Sequence, residues 1–384
     1  MRPLFYVRLM KTFKKILLYF GIAISLFIFG VFLYLQFNPQ FGGSLSKEEQ
    51  IRFEQSAQWS GEQFENEIET LMDLGVDELP GLIAANFKGR EERAPKQKLP
   101  MISFPAARWE ADTHQFKFIW FGHSVGLMKM QGLNLLIDPM FGSDSSPVGP
   151  FRTPRYTDST LAIIDQLPPR IDAVFITHDH YDHLDYDSFL KLKGRVGRYC
   201  VPLGVKRHLL RWGIEDSLIT EYDWWDSIEL EGVMAHFVPS RHFSGRGLSD
   251  RAKSLWGGWT FTSEQHSIYW SGDGGYGPHF KEIGERLGPF DWAFLECGQY
   301  NALWHAIHMY PEESIQAAID VQAKTSIPIH WGAFTLALHQ WKEPVLRFSK
   351  EAENKSVKIA MPRLGELMIK DPAESDVYWW NSFD

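Results

Sequence analysis

Short apolar runs recur between residues 105 and 370, and each ends at a glycine, a proline or a cluster of polar residues. Nine runs have the length and composition of β-strands: FKFIWFG (116–122), LNLLIDP (133–139), DAVFITH (172–178), GRYCVP (197–202), MAHFVPS (234–240), WGGWTFT (256–262), SIYWSGD (267–273), WAFLECG (292–298) and SIPIHWG (326–332). Segments with helical spacing lie between them, at 186–192, 206–212, 280–287 and 311–323. This order predicts an α/β fold with two sheets, or one mixed sheet, covered by helices.

The N-terminal pattern is different, because residues 16–35 form one uncharged apolar run, ILLYFGIAISLFIFGVFLYL. As a helix this run would span about 30 Å, the thickness of a bilayer core. A signal peptide has a shorter apolar stretch of about 7–15 residues and a small-residue cleavage pattern, and a buried core helix is the other alternative. We predict a transmembrane anchor over residues 16–36. The basic flank 1–15 would stay in the cytoplasm, which places the rest of the chain on the extracytoplasmic side. The basic residues are Arg2, Arg8, Lys11, Lys14 and Lys15.

Residues 37–104 are predicted to form a helical extension that ends in a linker. Ser46 and Glu49 have the spacing of a helix capping box. Charged residues then alternate with apolar ones, which predicts one or two helices: the apolar positions are Ile51, Phe53, Phe64, Ile68, Leu71 and Met72. Residues 89–100, GREERAPKQKLP, are charged and proline-flanked and are predicted to be the linker.

Side chains that bind metals follow four of the apolar runs. They are His178, His180, Asp182 and His183 in THDHYDH, His242 in PSRH, Asp273 in SGD and His330 in PIHWG. In an extended segment residues two apart face the same side, so His178, His180 and Asp182 are expected to converge while Asp179 points away. Two zinc ions need four to five ligands each, which seven residues supply if one carboxylate bridges. The alternative is a polar loop that is merely rich in histidine.

Composition limits the function classes. Hydrophobic residues make up 44% of the 384 residues and aromatic residues 15%, enough for a large core. The net charge of −9 argues against a nucleic-acid partner, which would need clustered Lys and Arg. Cys200 and Cys297 are the two cysteines, so no disulfide framework is indicated and their pairing stays open. Six further histidines are interpreted as ordinary surface or core residues: His114, His208, His236, His266, His279 and His339.

The metal motif, with its distant His, Asp and His, resembles the metallo-β-lactamase superfamily over roughly residues 105–370. A narrower set of motifs resembles the N-acylphosphatidylethanolamine-hydrolysing phospholipase D family in order and spacing: WFGHSVGLMKM, LIDPMF, THDHYDHLDY, DWWD, PSRHFSGR, LWGGW, SGDGGYGPHFKEIGERLGPFD and IHWGAF. The resemblance implies a metallo-β-lactamase αββα sandwich over residues 105–384, after the anchor and the extension. It also implies a dinuclear zinc hydrolase with two Zn²⁺ ions per chain.

Residue by residue, the resemblance implies that one zinc is bound by His178, His180 and His242. The other would be bound by Asp182, His183 and His330, with Asp273 bridging the two. The chain departs from the family pattern around residues 298–310, where His308 nevertheless aligns with a family histidine near the site. That segment is expected to contact substrate, so the departure leaves the lipid preference open.

The implied reaction is a phospholipase D cleavage of N-acylphosphatidylethanolamine to an N-acylethanolamine and phosphatidic acid by a hydroxide between the metals. Asp182 and Asp273 would act as catalytic ligands, and Asp182 would handle a proton. His308 would hold a phosphate oxygen or protonate the leaving group, unless it is a surface histidine ahead of a helix. His123 would orient a ligand by a hydrogen bond, or be an ordinary buried histidine. Five aromatic residues would line an acyl-chain groove or belong to the core: Tyr300, Trp304, Tyr310, Trp224 and Trp225.

Two other hypotheses about the function remain open. One is a different hydrolase on the same fold, such as a lactonase, a β-lactamase-like enzyme or a general phosphodiesterase. The other is a non-catalytic, membrane-tethered metal-binding module. The expected partners are a phospholipid substrate and a membrane. The sequence leaves the oligomeric state open, with a dimer among the options, and leaves open which metal loads in the cell.

Overall fold

The structure is a computed structural model that describes residues 2–71, 78–87, 89–148, 152–158, 160–369 and 378–383. The chain divides into two compact units, Met1–Phe41 and Gly42–Asp384. We describe each unit separately.

The smaller unit is a single long helix, α1 (Arg2–Phe37), followed by a 3-10 turn at Pro39–Phe41. Within it, Met10–Phe37 has a mean hydropathy of 2.6 and no part of it is buried against protein. Large apolar side chains such as Phe20 and Phe27 are exposed. The predicted apolar helix at 16–36 is therefore confirmed as a helix that extends beyond both predicted ends. Its length and composition make it a candidate membrane span.

The larger unit contains helices on both sides of two sheets. Its α-helices are α2 (Lys47–Phe53), α3 (Leu79–Phe87), α4 (Ala106–Glu110), α5 (Tyr186–Leu192), α6 (Lys206–Arg211), α7 (His279–Leu287), α8 (Pro311–Asp320) and α9 (Glu343–Lys355). Its 3-10 helices are Arg90–Glu92, Thr160–Gln166, Asp216–Leu218, Ala302–Ile307 and Trp379–Phe383. Its strands are β1 (Lys117–Trp120), β2 (Gly126–Met130), β3 (Leu133–Ile137), β4 (Ala173–Phe175), β5 (Tyr199–Pro202), β6 (Ile219–Tyr222), β7 (Ser227–Leu230), β8 (Val233–Val238), β9 (Gly258–Thr262), β10 (Ser267–Trp270), β11 (Phe290–Glu296), β12 (Ala323–Ile329) and β13 (Leu367–Ile369).

The described strands form two mixed sheets. The first has the order β13-β1-β2-β3-β4-β5-β6, antiparallel up to β3 and parallel from β3 to β6. The second has the order β12-β11-β10-β9-β8-β7, with β10, β11 and β12 parallel and the rest antiparallel. Each sheet therefore presents the carboxyl ends of parallel strands at one edge, where binding sites of α/β proteins usually lie.

The buried apolar side chains form three hydrophobic clusters. On β1, Phe118 and Trp120 point into a central cluster that also holds Trp259 and Phe294 of the second sheet. Ile119, between them, joins an outer cluster under α4, α5 and α6. A third cluster covers the opposite face of the second sheet under α7 and α8. Because alternate residues of a strand face opposite sides, this sorting builds a helix–sheet–sheet–helix sandwich. The predicted α/β sandwich is confirmed.

The extension differs from its prediction. The capping box at Ser46 and Glu49 is present and begins α2, but α2 ends at Phe53. Residues 54–71 are irregular, because Phe64, which is 1% exposed, packs with Phe53 and Trp59 into the central core. The aromatic positions in this segment therefore serve tertiary packing, and the second predicted helix is wrong over these residues. Met72, predicted for the same helix, lies outside the described residues.

Residues 89–100, predicted to be a linker, pack along the larger unit. Leu99 is buried, and its backbone N–H donates to the carbonyl oxygen of Tyr156 at 3.0 Å. The guanidinium of Arg93 is also buried and donates to the carbonyl oxygen of Ala85. The charged and proline-rich composition pointed to solvent, whereas the backbone of this segment is hydrogen-bonded to the domain. Cys200 and Cys297 are both free and buried, so they do not pair.

Candidate metal centre

The loop after β4 carries the first four predicted site residues into the cleft between the sheets. It runs from Thr177 to Leu184 and ends where Asp185 caps α5 by accepting from the backbone N–H of Ser188 at 3.0 Å. The other predicted residues follow β8, β10 and β12, whose ends lie at the same edge. The structure thus brings together all seven predicted ligands, as two neighbouring groups of nitrogen and oxygen atoms.

The first group consists of His178, His180 and His242. His180 Nδ1 lies 2.8 Å from His178 Nε2 and 3.2 Å from His242 Nε2. Because His242 Nδ1 donates to the carbonyl oxygen of Ile307 at 2.9 Å, its Nε2 presents a lone pair to the group. Burial lowers the pKa of His180 to about 4 and holds the pKa values of His178 and His242 well below their usual range.

Three neutral imidazoles therefore point ring nitrogens at one another. A shared proton can satisfy only one of these contacts at a time, whereas a divalent cation can accept all three lone pairs. The donor set thus fits a zinc-type ion.

The second group consists of Asp182, His183 and His330, with His123 beside them. His183 Nε2 lies 3.6 Å from Asp182 Oδ2. His123 Nε2 lies 2.7 Å from the same oxygen, and the His123 ring is fully buried. Burial lowers the pKa of His123 to about 4, so the neutral ring donates its Nε2 proton to Asp182. The contact is the one predicted for His123, a hydrogen bond to a candidate ligand.

Asp273 lies between the two groups. Its Oδ2 is 3.1 Å from His183 Nε2 and 3.9 Å from His178 Nε2, and its Oδ1 is 3.0 Å from His330 Nδ1. Burial raises the pKa of Asp273 to about 7, against the lowering effect of His183. The carboxylate therefore touches one residue of the first group and two of the second, which is the placement that a bridging ligand needs.

Asp138, at the carboxyl end of β3, is a site residue that the sequence analysis did not single out. Its Oδ2 accepts from His183 Nδ1 at 2.9 Å and from the Thr177 hydroxyl at 2.7 Å. Its Oδ1 accepts from the Thr177 backbone N–H at 2.8 Å. By holding the proton on Nδ1 of His183, this carboxylate makes Nε2 the atom that faces Asp273 and Asp182 and is available to a metal. The parallel pairing of β3 with β4 places Asp138 there. Like the predicted ligands, Asp138 is a polar residue that follows an apolar strand, so the same pattern could have identified it.

Glu296, the last residue of β11, is the second such residue. Its side chain is fully buried, and its Oε1 shares a short hydrogen bond with His308 Nδ1. Its Oε2 accepts from the backbone N–H of Gly274, next to Asp273. Burial raises the pKa of Glu296 well above its usual range. The His308 ring stacks on that of His330 at 5.3 Å between centroids, so Glu296 orients His308 over the site.

His123 and His330 have left-handed backbone conformations. His123 has φ of 54° and His330 has φ of 65°, and their backbones are paired through two 2.9 Å hydrogen bonds between residues 123, 330 and 331. Such conformations cost energy for residues other than glycine and persist where the surrounding structure holds them. Here they turn both imidazoles into the cleft where the two sheets meet.

A cavity of about 280 Å³ opens over the metal centre. Its polar lining includes His308 and Gln299, and its apolar lining includes Phe243, Ile307 and Leu336. Trp304, predicted to contact substrate, also lines it.

The other aromatic candidates lie elsewhere. Tyr300 is buried and its hydroxyl donates to Glu343 at 2.8 Å, so its predicted substrate contact is not supported. Trp224 is a core residue whose indole N–H donates to the carbonyl oxygen of Trp256, and Trp225 stacks under Arg286. Neither tryptophan lines the described cavity, so neither supports the predicted acyl-chain groove.

Asp179, which the sequence analysis set apart from the ligands, does point away. Asp179 is fully buried and accepts from the Ser254 hydroxyl at 2.8 Å and the Gly245 backbone at 2.7 Å. Burial alone would raise its pKa, but the hydrogen bond and charge of His208 hold it below the usual range. Asp179 therefore supports the loop from behind. The Tyr181 hydroxyl donates to the carbonyl oxygen of Arg246.

The extension braces the site from outside. The Asn66 amide donates to the carbonyl oxygen of His242 at 2.8 Å and accepts from the His242 backbone N–H at 3.0 Å. The Arg241 guanidinium reaches back to the Thr70 hydroxyl at 3.0 Å. Residues 66–70 therefore fix the backbone that carries one candidate ligand, a role that no local motif indicated.

Comparisons with known proteins agree with this geometry. The family model of the β-lactamase superfamily domain matches residues 133–331. An uncharacterized protein of Mycobacterium tuberculosis is 40% identical over 293 residues, which cover 74% of this chain and 77% of the relative. An N-acyl-phosphatidylethanolamine-hydrolyzing phospholipase D of Caenorhabditis elegans is 31% identical over 255 residues, which cover 63% of this chain and 71% of the relative.

Among solved structures, a metallo hydrolase from the archaeon Ignicoccus hospitalis superposes with a TM-score of 0.51 at 19% identity, covering 67% of this chain and 99% of that one. At this identity the likeness shows the fold. The matching family model, this fold and the clustered histidines and aspartates agree with one another. The chain belongs to the β-lactamase superfamily, as a metal-dependent hydrolase with the metallo-β-lactamase fold.

Proposed function

We propose that the protein is a membrane-anchored, dinuclear zinc hydrolase that cleaves a phosphodiester bond of a phospholipid, releasing an N-acylethanolamine and phosphatidic acid from N-acylphosphatidylethanolamine. The observation that carries the proposal is the position of Asp273 against both donor groups. A pair of ions that shares one carboxylate is the usual arrangement for displacement at phosphorus. The 31% identity to the phospholipase D of Caenorhabditis elegans supports the substrate class.

The ligand roles follow the two donor groups. His178, His180 and His242 would hold one zinc ion. Asp182, His183 and His330 would hold the other, and Asp273 would contact both. When bound, two zinc ions supply Lewis acidity towards a phosphoryl group and activate a water at neutral pH.

The chain's own residues supply positioning and proton transfer. Asp182 Oδ2 accepts from His123 Nε2, which orients the carboxylate and leaves its other oxygen as the atom that would bind zinc and, late in the reaction, would handle a proton. The hydrogen bond between Glu296 Oε1 and His308 Nδ1 leaves Nε2 as the atom that would, when it carries a proton, donate to a phosphate oxygen or to the leaving group. Asp138 holds His183 with its lone pair towards the centre. These three contacts fix the orientation of the groups before substrate arrives.

The shape of the cavity supports an amphiphilic substrate. Its floor consists of histidine and aspartate side chains, and its wall carries Phe243, Trp304 and Leu336. A volume of about 280 Å³ holds a phosphate with a small head group but not the acyl chains of a phospholipid. We infer that the phosphodiester enters the cavity while the chains remain along the apolar rim.

The membrane placement rests on α1. We propose that Met10–Phe37 spans the bilayer once, with the basic N-terminal flank in the cytoplasm and the catalytic unit on the extracytoplasmic side. Protease protection in sealed, right-side-out vesicles tests this. Digestion of the large unit from outside is expected, and full protection would reverse the orientation.

The decisive test uses the full chain, loaded with zinc, and N-acylphosphatidylethanolamine in mixed micelles. We expect equal amounts of N-acylethanolamine and phosphatidic acid, and no product from the Asp273→Asn variant although its circular dichroism spectrum is unchanged. Turnover of lactones or β-lactams without any release from the phospholipid would replace this substrate class with another hydrolase activity. Full activity in Asp273→Asn would disprove the shared carboxylate.

A further inference from the structure

A second cavity, of about 650 Å³, lies outside the metal centre between residues 90–98, residues 152–156 and Thr335. Six of its lining residues are cationic: Arg90, Arg93, Lys96, Lys98, Arg152 and Arg155. No aspartate or glutamate lies among the described lining residues. The chain as a whole carries a net charge of −9, so this concentration of one sign is local. A cleft lined by one sign of charge concentrates counter-ions of the other sign.

Two of the cations are built into the wall. Arg155 is 2% exposed, donates to the carbonyl oxygens of Gly142 at 3.2 Å and Phe121 at 3.3 Å, and stacks on the Phe334 ring at 4.6 Å. Arg93 is 4% exposed and donates to the carbonyl oxygen of Ala85. Both guanidinium groups line the cavity, so both add positive potential to it.

The remaining cations lie at the rim. Lys98 donates to the carbonyl oxygens of Arg155 at 2.8 Å and Thr157 at 3.4 Å. Arg152 is paired with Asp144 at 2.9 Å through its Nε. Arg90 and Lys96 are exposed and border the opening. Ammonium and guanidinium groups in this number around a concave surface suit a phosphate group.

The basic cavity and the metal cavity are separated by one loop. Thr335 lines the basic cavity and its neighbour Leu336 lines the metal cavity. Gln299 fixes this loop, donating to the Phe334 carbonyl oxygen at 3.1 Å and accepting from the Leu336 N–H at 2.9 Å. The Phe334 ring lies between Arg155 and His123. The wall is thus rigid and the two cavities are separate.

We propose that the basic cavity is a second anion-binding site, distinct from the metal centre, which binds a phosphate monoester group. The phosphate can belong to the head group of an anionic lipid or to a soluble phosphate ester. The cavity has room for a phosphate and a glycerol-sized group together. The proposal stands apart from the hydrolytic activity, because none of the candidate metal ligands lines this cavity.

The test measures ligand protection by hydrogen–deuterium exchange on the full chain in neutral detergent micelles. The probes are inorganic phosphate, glycerol 3-phosphate, dihexanoyl phosphatidic acid and the zwitterionic dihexanoyl phosphatidylcholine. We expect the phosphate monoesters to slow exchange in residues 89–99 and 152–158, and the phosphatidylcholine to have no effect. Preference for phosphatidic acid over glycerol 3-phosphate by about tenfold or more identifies a lipid head group. Equal affinity identifies a soluble phosphate ester, and both results support the site.

Matched variants locate the binding. The double variant Arg90→Gln/Lys96→Gln should weaken binding by about tenfold or more, because two charged contacts are lost. The double variant Lys47→Gln/Lys281→Gln changes the net charge equally at exposed positions elsewhere and should bind as the parent does. Protection should also persist in Asp273→Asn.

Three results would overturn the proposal: no protection by any of the anions, equal weakening in both double variants, or protection that is lost in Asp273→Asn and kept in Arg90→Gln/Lys96→Gln. The last result would place the anion at the metals. None of the three bears on phospholipid hydrolysis, so failure here leaves the proposed function to its own assay.

Discussion

Replacing Asp138 with asparagine should weaken metal binding at the group formed by Asp182, His183 and His330 while the fold remains intact. The carboxylate now accepts three hydrogen bonds, two from Thr177 and one from His183 Nδ1. Asparagine offers one acceptor and one donor in the same shape. The Thr177 backbone can only donate, so the amide oxygen must stay there and the NH₂ group must face the hydroxyl and His183.

That orientation forces His183 to change its tautomer. Nδ1 must accept from the asparagine, so the ring proton moves to Nε2, the atom that lies 3.1 Å from Asp273. A protonated Nε2 cannot bind a metal. Loss of such an orienting partner typically lowers metal affinity about 10–100-fold. This corresponds to about 1.4–2.7 kcal/mol of binding free energy.

The assay is zinc binding by competition with a chromophoric chelator, with circular dichroism as the check on folding. We expect one weakened site and one unchanged site in Asp138→Asn. Asp172→Asn is the matched control, since Asp172 precedes β4 at the opposite end of the same pair of strands and accepts from the Asn134 backbone at 2.9 Å. Two unchanged zinc affinities in Asp138→Asn would refute the tautomer argument.

Three further substitutions probe the residues around the ligands. Glu296→Gln replaces the carboxyl group that orients His308, so phospholipid hydrolysis should slow by about 10–100-fold, measured as kcat, with the zinc content unchanged. Asn66→Ala removes both hydrogen bonds to the His242 backbone and should lower the free energy of unfolding by about 1–3 kcal/mol in urea denaturation. Phe64→Ala leaves a cavity in the central core and should lower it by about 3–5 kcal/mol in the same experiment.

Exposed neighbours supply the controls. Gln63→Ala, beside the buried phenylalanine, should leave the free energy of unfolding within about 0.5 kcal/mol of the parent. If Gln63→Ala destabilised the protein as much as Phe64→Ala does, the burial of Phe64 in the core would not explain the loss of stability. Glu285→Gln, a glutamate on the exposed face of α7, should leave kcat unchanged. Zinc loss from Glu296→Gln would mean that this residue acts on the metals rather than on His308.

The candidate ligands were predictable because each follows an apolar strand. The parallel strands β4, β10 and β12 end at the same edge, so polar residues just past an apolar run converge on one cleft. The partners of the ligands were harder to find, since a single Asp138 or Glu296 at a strand end has no repeated motif around it. Their roles depend on pairing across strands, which spacing along the chain does not show.

The elements that escaped prediction share a different cause. In β2 the buried Lys129 breaks the apolar run, and its ammonium group is satisfied by Glu110 at 2.9 Å. Strand β7, SIEL, alternates exposed and half-buried residues at a sheet edge and carries little apolar signal. Residues 54–71 lack regular structure because Phe64 packs into the core through tertiary contacts alone. In each case pairing or packing against another segment, rather than an apolar run, holds the local structure.

Anomalous scattering at the zinc edge from crystals of the zinc-loaded chain tests the dinuclear centre most directly. Two peaks are predicted, one among His178, His180 and His242 and the other among Asp182, His183 and His330, with Asp273 in contact with both. A single peak, or two peaks that do not share Asp273, would contradict the dinuclear centre.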